Sequence, residues 1–124
     1  MPTGKEIGKY ASKSTSMTVT NVDGEQRTIE VNMEGEVSGQ LSGAVVSTAI
    51  YTGTNDRGTY TDKGVGFLES GVLHGEGMGV YWLDKPGEWE TRGAVTLGNG
   101  QTVIAEGRVN LAKRAWTGKL FELE

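Results

Sequence analysis

The 124-residue sequence predicts an all-β protein, an up-and-down meander of about eight antiparallel strands closed into a barrel. Three observations carry the prediction. Apolar and polar residues alternate with a period of two from Met17 onward, short Gly, Asn and Asp segments separate the runs, and no stretch sustains a helical period.

Residues 1–15 are polar and aperiodic, so they read as a flexible lead-in to a barrel domain over residues 16–124, with Tyr10 docking on its body. Met17 and Val19 alternate with threonines before a turn at Asp23-Gly24. Ile29, Val31, Met33, Val37 and Leu41 then mark one long curved strand that bends at Gly35 and Gly39. Further strands are expected over 44–52 and 59–68, joined by a polar loop at 54–58. After a turn at Ser70-Gly71 come strands over 72–83, 88–97, 101–111 and 115–122. Such short connections make sequence neighbours pair antiparallel, and a sheet with one apolar face and no helix to cover it closes on itself.

Side-chain chemistry fixes one register. A three-residue loop at 98–100 sets Arg92 opposite Glu106 and Glu90 opposite Arg108 on one face. The same register sets Trp89 against Val109 and Val95 against Val103 on the other, as a half-buried sheet requires. Carried back through a four-residue loop at 84–87, it pairs Trp82 with Trp89. His74, Glu76, Met78 and Val80 then share the interior with Trp82, and Gly75, Gly77 and Gly79 lie outside. In the fourth strand, a two-residue turn at Ser70-Gly71 buries Phe67 and Val65, whereas a three-residue loop buries Leu68, Gly66, Gly64 and Tyr60. The first buries more apolar bulk and is preferred; by extension it turns Tyr51, Ala49, Ser47 and Val45 inward.

Composition narrows the function. Twelve Lys and Arg against 16 Asp and Glu, with no basic stripe, argue against nucleic acid as a partner. The absence of Cys and a single His argue against metal sites and thiol chemistry, so no metal and no cofactor is expected. No segment has the apolar length of a signal core or a membrane helix, so a soluble, cytoplasmic protein without a membrane partner is the expectation.

The segment Gly75-Glu76-Gly77-Met78-Gly79-Val80, the run Arg92-Gly93-Ala94 and the closing Leu120-Phe121-Glu122-Leu123-Glu124 resemble a family pattern. It is that of small bacterial proteins of unknown function with an allene oxide cyclase-like, calycin-like barrel. The resemblance covers the second half of the chain. It implies an eight-stranded barrel that assembles as a homo-oligomer, expected here as a dimer, and it transfers no catalytic residue.

Two constellations on the expected interior face could carry chemistry. His74 and Glu76, two residues apart, would form a proton-transfer pair in an apolar barrel or a solvated pair at its mouth. Trp82, Trp89, Trp116, Met78 and Tyr51 face small inward residues at Gly93, Ala105, Gly107 and Gly118. They either interdigitate into a filled core or line a cavity for a small apolar ligand. Asp56, Asp62 and Glu69 read as solvated turn carboxylates. Three functions follow: a binder of a small apolar molecule, a cyclase or isomerase using an interior carboxylate or imidazole, and a structural oligomerisation module.

Overall fold

The structure is a computed structural model and describes residues 3–123. Its eight strands are β1 (Thr3–Asp23), β2 (Gln26–Gly39), β3 (Gly43–Gly53), β4 (Arg57–Leu68), β5 (Gly71–Lys85), β6 (Glu88–Leu97), β7 (Thr102–Asn110) and β8 (Ala115–Leu123). Each pairs antiparallel with the next, and β8 returns to β1, closing the barrel in simple sequence order. Closure removes the sheet edges that an open meander would expose.

The lead-in expected over residues 1–15 is strand from Thr3 onward; residues 1 and 2, and Glu124, lie outside the described residues. Residues 8–13 of β1 are held on both sides, by Glu34–Gly39 of β2 and by Ala115–Leu120 of β8. Their polar composition reflects an outward face of Lys9, Ala11 and Lys13, while Ile7 and Tyr10 turn into the core. Past Lys13 the β8 partner runs out, so residues 16–23 and the start of β2 form an overhanging hairpin at one end of the barrel. Bulges between Ser14 and Ser16 and between Val19 and Asn21 interrupt its register, which makes its free edge a poor template for another strand.

The β6–β7 hairpin has the expected register, with Glu90 opposite Arg108, Arg92 opposite Glu106, Trp89 opposite Val109 and Val95 opposite Val103. Arg92 Nε lies 3.3 Å from Glu106, and Arg108 reaches Glu90 at 3.0 Å and Asp84 at 2.7 Å.

The β5–β6 register differs by one residue from expectation. Lys85 pairs with Glu88 around a tight turn at Pro86-Gly87, where Gly87 adopts a φ of 79°, and a bulge at Asp84 then sets Leu83 opposite Trp89 and Trp82 opposite Glu90. One extra residue reverses the whole face of the strand. Gly75, Gly77 and Gly79 therefore point inward, and His74, Glu76, Met78, Val80 and Trp82 point outward. Packing explains the outcome, because a Cβ at position 79 would stand 2.7 Å from both Gly93 Cα and the Tyr60 ring. The lumen is already occupied there by β4 side chains.

At β4–β5 the turn residues are Glu69 and Ser70, with Leu68 opposite Gly71. Tyr60, Gly64, Gly66 and Leu68 accordingly face inward and Phe67 is 55% exposed, reversing the preferred expectation for this strand. Val45, Ser47, Ala49 and Tyr51 do face inward, because Tyr51 pairs with Tyr60 across β3–β4.

Candidate functional site in the barrel interior

The interior is two compartments with an aromatic partition between them. At its centre, Trp116 on β8 is packed by Tyr10 at 6.1 Å and Tyr60 at 5.2 Å, both edge-on, and by Tyr51 at 5.7 Å. Edge-to-face contacts at these separations are the favoured arrangement of aromatic rings. The indole Nε1–H donates to Thr91 Oγ1 at 3.0 Å, and both residues are buried. Inward glycines make room for these rings. A Cβ at Gly107 or Gly118 would run into the Tyr10 hydroxyl, and one at Gly93 into that of Tyr60.

On one side, toward the end formed by the β1–β2, β3–β4, β5–β6 and β7–β8 connections, lies a wide compartment of about 470 Å³. Ile29, Val31, Met33, Val109, Tyr51 and Trp116 supply its apolar wall. Met17 and Val19 of the overhanging hairpin extend that wall outward. At its rim stand Arg27, Asn55 and Arg114, together with Trp89, whose Nε1–H donates to the Asn55 carbonyl at 2.6 Å. Tyr81 donates to the Thr54 carbonyl at 2.7 Å, so two aromatic side chains tie the β3–β4 loop to the barrel.

On the other side lies a narrow compartment of about 160 Å³ among Val37, Val45, Val95, Val103 and Leu120, capped by Leu41, Leu68 and Leu97. Ser12, Glu36 and Ser47 also line it, and so does Asp62, which the sequence reads as a solvated turn carboxylate. Asp62 is two residues beyond Tyr60 on β4 and shares its inward face. Burial raises its pKa, and the backbone N–H groups of Asp62 itself and Gly77 only partly offset this. Among the described residues its Oδ1 has no hydrogen-bond partner, and neither does the buried Tyr10 hydroxyl. Burial also drives the phenols of Tyr10, Tyr51 and Tyr60 well above their ordinary range; at Tyr10 the proximity of Thr91 and Trp116 only partly relieves it.

The residues singled out from the sequence divide between the two sides of the wall. Trp116, Trp89 and Tyr51 are inward and line the wide compartment. Trp82 and Met78, 40% and 66% exposed, lie on the outer surface. His74 and Glu76 are also exposed on the outer surface, beside Lys63 and Val46, so neither reaches a guest in the lumen. The slip at Asp84 accounts for all four. Sequence reasoning does not find Thr91 or Asp62, and it turns Tyr60 inward only in the alternative to the preferred turn at Ser70-Gly71; the period-two link from Tyr60 to Asp62 is the signal that this alternative carries.

These features define a small, closed eight-stranded β-barrel with a divided lumen. Among solved structures it is similar to a conserved protein of unknown function from Rhodopseudomonas palustris, with a TM-score of 0.73 and 15% identity over 98% of this chain and 99% of that one. At that identity the likeness establishes the fold alone. No family model and no curated protein matches the chain.

Proposed function

We propose that the barrel binds a small apolar molecule in its wide compartment. The observation that carries this reading is a space of about 470 Å³ with an aliphatic and aromatic wall and polar groups gathered at its rim. That is the usual form and size of a small-molecule site. The partition supports it as well, since Trp116 is fixed by Thr91 and three tyrosines and presents a preformed floor. The glycine-rich β5 and the closing strand of Leu120, Phe121 and Glu122 are the features in which the chain resembles calycin-like, allene oxide cyclase-like proteins, and that resemblance supports this reading.

Titration with the neutral fluorophore N-phenyl-1-naphthylamine tests the proposal. A saturable rise in emission is expected, weakened at least tenfold by Ile29→Trp, which fills the compartment, and unchanged by Trp82→Ala on the outer wall. Emission that never saturates, or that depends on Trp82 and not on Ile29, would overturn it.

A further inference from the structure

The narrow compartment poses a separate problem of charge. Asp62 lies in an apolar enclosure and leaves Oδ1 unpaired. A buried carboxylate is stable when it is paired with a cation or fully hydrogen-bonded. Among the described residues no Lys, Arg or His lines this compartment, so they supply no cation there. What the chain does supply is aromatic. Tyr10, Tyr60 and Trp116 form the inner end of the same space, and aromatic rings attract cations through their quadrupoles. The second unpaired atom, the Tyr10 hydroxyl, adds a hydrogen-bonding group at that end. The rest of the wall is mainly aliphatic, with Ser12, Ser47 and Glu36 among it, and a space of about 160 Å³ is close to an engineered cavity known to hold benzene, so its guest has about six non-hydrogen atoms.

We infer that the narrow compartment is a binding site for a small apolar ammonium ion, whose charged end pairs with the Asp62 carboxylate beside the rings of Tyr10, Tyr60 and Trp116. The aliphatic body of such a guest lies among Val45, Val95 and Val103. Gly77 leaves room for the Asp62 carboxylate, because a Cβ at that position would strike Oδ1, and Gly75 leaves room for Leu97, which a Cβ there would meet at 3.1 Å. The site is independent of the wide compartment, since Trp116 alone lines both.

Calorimetric titration at pH 7 with cyclopentylamine, and with cyclopentanol as its neutral counterpart, tests the inference. One saturable amine site is expected in the unaltered protein, with the alcohol binding at least tenfold more weakly. Asp62→Asn is expected to weaken the amine at least tenfold and to leave the alcohol unchanged. Binding of N-phenyl-1-naphthylamine, measured on the same samples, reports whether the variant retains its fold and separates failure at this site from failure at the wide one. The comparison of amine and alcohol needs no variant at all. Equal affinity for the two compounds, no amine binding, or amine affinity retained in a folded Asp62→Asn protein would each overturn the inference.

Discussion

The Trp116 indole donates its N–H to Thr91 Oγ1 at 3.0 Å across the barrel interior, joining β8 to β6, two strands that are not neighbours in the sheet. Among the described residues Thr91 is the one polar residue in the buried class, at 2% exposure. Removing its hydroxyl leaves the indole N–H buried without a partner, which costs about 1–3 kcal/mol. Thr91→Val, nearly the same shape, is therefore expected to lower the unfolding free energy by that amount, read as a lower urea midpoint with an unchanged slope. A variant as stable as the parent would show that the partition does not depend on this bond.

Inward glycines set a second prediction. At Gly79 a Cβ would meet Gly93 Cα and the Tyr60 ring at 2.7 Å, and neither backbone nor a packed ring can give way. At Gly64 the nearest atom is Ser47 Cβ at 3.2 Å, a side-chain contact that a small shift relieves. Gly79→Ala is expected to cost about 1–3 kcal/mol, as overpacked core substitutions do, and Gly64→Ala clearly less. Equal losses in chemical denaturation would contradict the close packing of β5 against β6.

Alkaline stability follows from the tyrosines. Burial raises the pKa of all four, Tyr10, Tyr51, Tyr60 and Tyr81, so the fold favours their neutral forms. Their contribution is complete below the unfolded value of about 10 and is lost as the pH rises toward the folded values. Phenolate absorbance near 295 nm should thus appear late and together with the loss of β-sheet circular dichroism. Gradual titration of a folded barrel around pH 10 would contradict the partition's burial.

Asp62 has the same sign at a lower pH. Its folded pKa is raised above 3.8, so the neutral carboxyl is favoured in the fold and stability falls as the pH rises from about 4 through the folded value. Asp62→Asn removes that loss. Its stability relative to the parent should therefore increase between pH 4 and pH 7, measured by urea unfolding in the absence of any amine. A pH-independent difference would mean that the carboxyl is solvated.

The meander, the strand count and the β6–β7 hairpin were legible because two patterns agreed there: opposite charges on one face and apolar pairs on the other. At β5 only the apolar pattern was present. Met78, Val80 and Trp82 read as a core face, yet they lie outside because the bulge at Asp84 adds one residue that no local propensity announces. The lumen near Tyr60 had no volume left for them, and that is a property of strands distant in sequence. Asp62 was hidden for the same reason. A carboxylate near a turn-rich segment reads as solvated until Tyr60, two residues earlier, is known to point inward. The first half of β1 was hidden by its polar outer face, although Ile7 and Tyr10 supply the inward positions.

The claim that a guest occupies the wide compartment makes its sharpest prediction about the three tryptophans. Trp89 stands at the rim and Trp116 at the floor, whereas Trp82 lies on the outer wall. In an NMR titration with N-phenyl-1-naphthylamine, the indole N–H signals of Trp89 and Trp116 should move together and saturate while that of Trp82 stays in place. A shift confined to Trp82, or no saturable shift at Trp116, would contradict the account.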